Sequence, residues 1–328
     1  MVTMETSAIL LCIVLVIITI LLWRRLRGST PVSGLAYKWV LITGCDTGFG
    51  HQLAKRLDKL GLRVFAGCLS EGGEKNLQQC CSARLTTIRL DVTKQVDIEK
   101  TLCLITQEMA SSSGSVLWAI VNNAGIGSGG PFDWITVQQM QRVFDVNVWG
   151  LLNVTKAFLP LLKKSCGRIV NVASCAGKLP GPGLSAYSAS KYAVQSFSDA
   201  LRIEMRPFGV SVHIIDPGFF KTNLTDAHNQ KRQLEGLWNG LDQRVKDEYG
   251  EDFYLKGQEA IDFMGWFASS NTEEVVGAME HAVTSCFPCV RYKLGWDHKL
   301  IWQWLAMLPS EIQDVFLGAS FPRPAMCK

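Results

Sequence analysis

The sequence predicts an α/β fold, a parallel sheet covered by helices on both faces, from three observations. Short runs rich in aliphatic and β-branched residues recur at 39–43, 63–69, 85–92, 117–122, 168–174 and 210–215. They are apolar at nearly every position, as strands buried on both faces are. Amphipathic stretches lie between them; Leu53, Ala54, Leu57 and Leu60 share one helical face, and Gly61 ends that helix. Right-handed crossovers then give a doubly wound, Rossmann-type sheet that binds ligands at the carboxyl ends of its strands.

The chain has 328 residues, enough for one large domain or two small ones. With 48% hydrophobic and 19% charged residues it is not a disordered segment. Its formal charge is +4, and half of that sits in residues 1–30, where Arg24, Arg25 and Arg27 outnumber Glu5. The other 30 basic and 28 acidic groups form no basic stripe, which excludes a nucleic-acid partner. Eleven cysteines, odd in number and scattered, read as reduced cytosolic thiols. Cys286 and Cys289 have the spacing of a metal or redox pair, but no second pair or suitably placed His joins them, so no metal site is expected.

From Thr6 to Trp23 the chain carries no charge. Eighteen helical residues span about 27 Å, enough to cross a hydrocarbon core. The acidic start and the lack of a small-residue cleavage site argue against a removed signal, so 1–27 is expected to be a retained transmembrane anchor with a basic flank. The arginines follow the apolar run, which puts the remainder in the cytosol. The sequons at Asn153 and Asn223 would matter only in the opposite topology.

A linker over 28–36 leads to the sheet domain, 37–225. Residues 226–328 are expected to hold a substrate lid, a last strand and an apolar tail. In the polar stretch 226–265, Leu234, Leu237, Trp238 and Leu241 have helical spacing. A lid belongs there, and a packed surface helix fits as well. The tail, with Trp296, Trp302 and Trp304, reads as a second membrane contact, part of a substrate tunnel, or a core or dimer-interface helix.

Four motifs stand at predicted strand ends. Gly44, Gly48 and Gly50 lie between the first strand and the first helix, where glycines let backbone approach a pyrophosphate. Asn122-Asn-Ala-Gly125 closes the fourth strand, and Ser174 ends the fifth. Tyr187 and Lys191, four apart, share one face of the next helix. A neighbouring cation lowers a phenol's pKa, so this pair is a candidate general acid/base.

In this order the motifs make the chain resemble the short-chain dehydrogenase/reductase superfamily over roughly 37–225. The resemblance implies hydride transfer at a carbinol carbon with a nicotinamide cofactor. By that resemblance Tyr187 exchanges the proton, Lys191 lowers its pKa and holds the nicotinamide ribose, and Ser174 bonds the reacting oxygen. Asn147 matches the asparagine that positions a water, and Asp91 the residue beside the adenine. Gly44, Thr47, Gly48, Phe49, Gly50, Asn123, Ala124 and Gly125 would line the cofactor, and Pro217, Gly218 and Thr222 would contact its carboxamide. Cys68 stands where an acid would hold the 2′-hydroxyl of NAD. Glu71 and Glu74 nearby would repel a 2′-phosphate, so NAD is preferred, with NADP the alternative.

The stretches 42–50 and 65–69 look like the membrane-bound retinol and hydroxysteroid dehydrogenase branch. So do 279–285, Arg291-Tyr292 and Gly295-Trp-Asp297. That branch includes 3-hydroxybutyrate dehydrogenase, which shares the Ala-Gly-Cys-Leu and Asn-x-Trp-Gly features. Thr47 replaces the branch's frequent Ser, and 178–185 is richer in Pro and Gly than in retinol enzymes. The anchor and apolar tail favour a lipophilic alcohol, retinol or a hydroxysteroid, at the endoplasmic reticulum membrane. The rivals are oxidation of 3-hydroxybutyrate and a lipid-binding membrane scaffold without chemistry. A homodimer is the family-level expectation.

Overall fold

The computed structural model describes residues 30–319 and 321–327, together with Cys12, residues 14–16 and Thr19. The anchor expected over 1–27 therefore lies, but for those five residues, outside the described residues. Among the described residues no helix is long and apolar enough to cross a membrane.

Seven strands make one sheet: β1 (Lys38–Thr43), β2 (Arg63–Cys68), β3 (Leu85–Arg89), β4 (Val116–Asn122), β5 (Arg168–Val172), β6 (Ser211–Pro217) and β7 (Arg291–Leu294). All pairs are parallel, in the order β3-β2-β1-β4-β5-β6-β7. The order reverses between β1 and β4, which opens a crevice at their carboxyl ends. Each of the six expected runs is a strand. β7 completes the edge with only four residues, too short to stand out by periodicity.

The crossovers are helical: α1 (Gly48–Lys59), α2 (Glu71–Cys80), α3 (Gln95–Ser111), α4 (Val137–Phe144), α5 (Leu151–Ser165) and α6 (Ser185–Met205). Alternate strand residues face opposite layers. Val40, Ile42, Val64 and Val121 pack with Leu53 and Leu57 of α1, and with Val276 and Met279 of a later helix, Glu273–Thr284. Trp39, Leu41, Phe65 and Ile120 pack with Ile98 and Ile105 of α3 and with Phe158 and Leu162 of α5. Leu60 departs from the expected stripe: α1 stops at Lys59, Gly61 turns the chain at φ +89°, and Leu60 is exposed.

Residues 226–267 form three helices, α7 (Ala227–Asn239), α8 (Gln243–Tyr249) and α9 (Glu251–Phe267), rather than one. They build a core of their own around Trp134. Trp238 and Tyr249 lie 5.2 and 5.4 Å from its ring, and Leu234 and Phe253 are buried beside them. Then come α10 (Glu273–Thr284), β7, a π-helical turn His298–Trp302, α11 (Gln303–Leu305) and α12 (Ser310–Gly318).

At the opposite, amino-terminal edge of the sheet, Arg168 is buried. It donates to the carbonyls of Ala282 (2.8 Å) and Ser285 (2.6 Å) at the end of α10 and stacks on Trp118, 4.7 Å from the ring centroid. A cation there suits the negative end of the helix. Arg168→Ala would take this donor from both carbonyls, and we expect it to lower the unfolding free energy by about 2–4 kcal/mol in urea titrations.

Candidate active site

After Thr43 the chain turns through Gly44 (φ +70°) and Gly48 (φ +67°) into α1. A Cβ on Gly44 would lie 2.7 Å from Cα of Ala124, and one on Gly50 would lie 2.4 Å from Nδ2 of Asn123. The ends of β1 and β4 thus close on each other. Thr43 Oγ1 accepts the N–H groups of Asn123 and Ala124 (3.1 and 3.0 Å), and the Asn123 amide donates to the carbonyls of Thr43 and Gly44 (3.0 and 2.9 Å). Thr47 begins α1 in an extended conformation and makes no capping bond, so the first N–H groups of α1 stay available to an anion.

A cleft of about 600 Å³ opens at this point. Gly44, Thr47, Gly48 and Phe49 line it, as do Asp91 beyond β3 and Asn123, Ala124 and Gly125 beyond β4. Pro217, which ends β6, and Gly218 and Thr222 after it line it too, together with Ser174, Tyr187 and Lys191. Gly50, Cys68 and Asn147 do not. Gly50 serves the close packing of α1 on β4, as its short approach to Asn123 shows.

Cys68 corrects the sequence reading. Its side chain is fully buried and its thiol is pushed up to about 12, chiefly by burial and then by Asp46 and Glu74. The carboxylate at this end of the cleft comes from Asp46, inside the glycine turn. It accepts the N–H groups of Leu69 (2.7 Å) and Ser70 (2.8 Å) and the Ser70 hydroxyl (2.6 Å), and it lines the cleft with Leu69. Glu71 and Glu74 are paired instead, with Lys75 (2.6 Å) and Arg89 (2.7 Å), and do not line the cleft. The sequence placed Asp46 in the turn, but its reach across to β2 is a tertiary contact.

Ser174 lies two residues beyond β5, where it caps a single 3₁₀ turn, Cys175–Gly177, by accepting the Ala176 N–H at 3.2 Å. Tyr187 and Lys191 stand one turn apart on α6. The Lys191 ammonium donates to the Val172 carbonyl (3.0 Å) and lies 5.7 Å from the Tyr187 ring centroid. Asn147 sits in a π-helical turn, Asp145–Gly150, between α4 and α5. Its amide donates to the Ile126 carbonyl (2.9 Å) and to Ser190 Oγ (3.0 Å), and Ser190 Oγ donates to the Tyr187 carbonyl (2.6 Å). Asn147 therefore braces the helix that carries Tyr187 and Lys191, from behind the cleft wall.

This geometry has close relatives. The short chain dehydrogenase family profile matches residues 38–233. Retinol dehydrogenase 16 of Rattus norvegicus is 40% identical over 304 residues, covering 92% of this chain and 95% of the relative. The chain belongs to the short-chain dehydrogenase family. The 17-beta-hydroxysteroid dehydrogenase type 6 of Bos taurus is 41% identical over 305 residues, covering 93% of this chain and 95% of that one. Among solved structures, a short-chain dehydrogenase from Streptomyces avermitilis shares the fold, with a TM-score of 0.65 at 24% identity over 86% of this chain and 93% of its own. Within the family the chain falls in the retinol and hydroxysteroid dehydrogenase branch and is an NAD(P)-dependent alcohol dehydrogenase.

Burial is the largest influence on both titratable groups of this dehydrogenase's cleft. Burial raises the Tyr187 phenol to about 12, against a smaller opposing effect of its hydrogen bond to Ser174. Burial depresses Lys191 itself to about 8, partly offset by Asp216. In a low-dielectric pocket each group disfavours its own charged form. The folded chain thus releases the Lys191 proton near pH 8, while the unfolded chain keeps it to about 10.5. The cost of the buried ammonium is full below pH 8 and fades as pH rises through that window. In urea titrations of the cofactor-free chain, wild type should gain stability relative to Lys191→Met between about pH 8 and 10.5. A pH-independent difference would show that the ammonium is not desolvated.

Proposed function

We propose that this dehydrogenase transfers a hydride between NAD, in preference to NADP, and a lipophilic alcohol, retinol or a hydroxysteroid. It would do so anchored through residues 1–27 in the endoplasmic reticulum membrane, facing the cytosol and associating as a homodimer. The observation that carries the reading is the meeting of Ser174, Tyr187 and Lys191 at one end of a cleft floored by the glycine turn. The chain's relatives, about 40% identical, are named for retinol and 17β-hydroxysteroids.

The residues fit the cofactor. Gly44 and Gly50 leave no room for side chains between turn and β4, whereas Gly48 faces open space. A pyrophosphate would rest on the first turn of α1, and a nicotinamide ring, when bound, supplies the hydride acceptor or donor. Ser174 then orients the reacting oxygen and Tyr187 gives or takes its proton at the phenol. Lys191 holds a positive charge beside the phenol, and Asn147 keeps α6 in place through Ser190.

Asp46 supports NAD. Bound to the amides that follow β2, it offers a carboxylate that would accept from the adenosine 2′-hydroxyl and repel a 2′-phosphate. The exposed side chains Leu300, Trp304 and Met307, beyond the nicotinamide end of the cleft, support a substrate that partitions from lipid. The cytosolic orientation is supported by Asn223, which lines the cleft, so that a glycan there would obstruct it.

The reconstituted chain should reduce NAD with all-trans-retinol or a 3α- or 17β-hydroxysteroid, and Tyr187→Phe should lower kcat by roughly 10²- to 10⁴-fold while NADH still binds. Turnover that survives Tyr187→Phe would sink the mechanism, and turnover of 3-hydroxybutyrate alone would sink the substrate class. In Asp46→Asn the ratio of kcat/KM for NADP to that for NAD should rise by roughly 10- to 100-fold, as expected when a charge is removed a few ångströms from a phosphate. An unchanged ratio would take the preference away from Asp46.

A further inference from the structure

The reading above places Pro217 and Gly218 at the nicotinamide end of the cleft, and the present inference rests on it. The segment that follows β7 lies directly behind this loop. Gly218 N–H donates to the Leu294 carbonyl (2.8 Å), and His298 Nδ1 pairs with the Asp216 carbonyl (2.9 Å). Between these two contacts sits Asp297, fully buried. One of its oxygens, Oδ2, accepts both the backbone N–H of Phe219 (2.8 Å) and the indole N–H of Trp302 (2.9 Å). The other, Oδ1, is buried without a hydrogen-bond partner.

The surrounding sequence makes room for this carboxylate. A Cβ on Gly218 would lie 2.3 Å from Oδ1, and one on Gly295 would lie 2.5 Å from it. A buried carboxylate with one unpaired oxygen is a poor way to stabilise a fold. Packing alone gives no reason to hold one between two glycines behind a cleft loop. Its second partner points to a reason. Trp302 lies 6.1 Å from the Phe219 ring and 6.4 Å from Phe267, which in turn packs at 4.4 Å on Trp296. A single carboxylate oxygen therefore joins the cleft loop to the aromatic C-terminal segment.

We propose that Asp297 is a positioning residue for hydride transfer, a carboxylate bridge that fixes the Pro217–Phe219 loop against the C-terminal segment through Phe219 N–H and Trp302. It touches neither substrate nor cofactor and acts through the loop. Loss of the bridge frees the loop, so that a nicotinamide ring is held less tightly and at a less productive distance.

The test uses the full-length chain with Asp297→Ala, Asp297→Asn and Trp302→Phe, the last keeping an aromatic ring while removing the donor. Three readouts are followed: amide hydrogen exchange of the 217–222 segment without cofactor, NADH affinity by fluorescence, and steady-state kinetics with a primary deuterium isotope effect. Asp297→Ala should speed exchange in that segment, weaken NADH binding by roughly tenfold, and lower kcat by roughly tenfold with the alcohol KM within about threefold. The isotope effect on kcat should rise as the hydride step becomes limiting. Asp297→Asn and Trp302→Phe should move in the same direction by less. Should Asp297→Ala fail to fold, Trp302→Phe carries the test. Unchanged exchange, NADH affinity and kcat in the folded variants would overturn the inference, even if the melting temperature falls. A wild-type chain that neither binds NADH nor turns over would instead overturn the functional reading on which it rests.

Discussion

Two strand ends can share one cofactor cleft only if backbone comes into contact with backbone, and at the ends of β1 and β4 this is what the glycines of the turn permit. The separation there is too small for a Cβ at Gly44 or Gly50. The contact is then secured by a threonine hydroxyl that accepts two amide hydrogens, and by an asparagine amide that donates to two carbonyls. Every other part of the site is placed relative to this seam. The N-terminus of α1 faces the cleft because the turn is tight, and Gly125 meets Asn147 and Lys191 because β4 ends at the seam.

Helix α6 must be held as firmly as the seam, since it carries both Tyr187 and Lys191. A chain of buried amides and hydroxyls does this: Asn122 donates to Asn171 and Thr155, and Asn171 donates to Ser198 on α6. These bonds join β4, β5, α5 and α6, with Asn122 Oδ1 the one oxygen of this network left buried without a partner. At the far end, Gln195 of α6 donates to the Ser174 carbonyl and to Asp216. Asp216 is also the charge that opposes the desolvation of Lys191, so the network that sets the position of the lysine also sets its proton affinity.

The legible part of the molecule is the part that local pattern specifies. Near-continuous apolar runs announced six strands, and residues at strand ends announced most of the cleft, because period and chain order are visible in a sequence. Contacts between distant segments were not visible. Asp46 is bonded to residues 23 and 24 positions away, and that bond, not the identity of Cys68, decides which charge faces this end of the cleft. The short β7 is defined by its partner β6 rather than by its own composition. The burial of Tyr187 and Lys191 is likewise invisible in their four-residue spacing, and it is the largest influence on both groups.

The two ends of the described chain meet the sheet at opposite edges. At the amino-terminal edge, Val32 N–H donates to the Thr284 carbonyl and Cys286 N–H to the Thr30 carbonyl, both at 2.7 Å, beside the Arg168 clamp. The described chain therefore enters the domain at the edge away from the cleft. The aromatic C-terminal segment packs at the carboxyl-terminal edge, against Phe219, and keeps Trp304 and Met307 exposed. The point of entry and these exposed side chains are thus separated by the length of the strands. Directly behind the C-terminal segment lies the buried Asp297, whose Oδ2 accepts both the Phe219 N–H and the Trp302 indole N–H. On this arrangement the C-terminal segment and the Pro217–Phe219 loop share one buried carboxylate, so that a displacement of either is felt by the other.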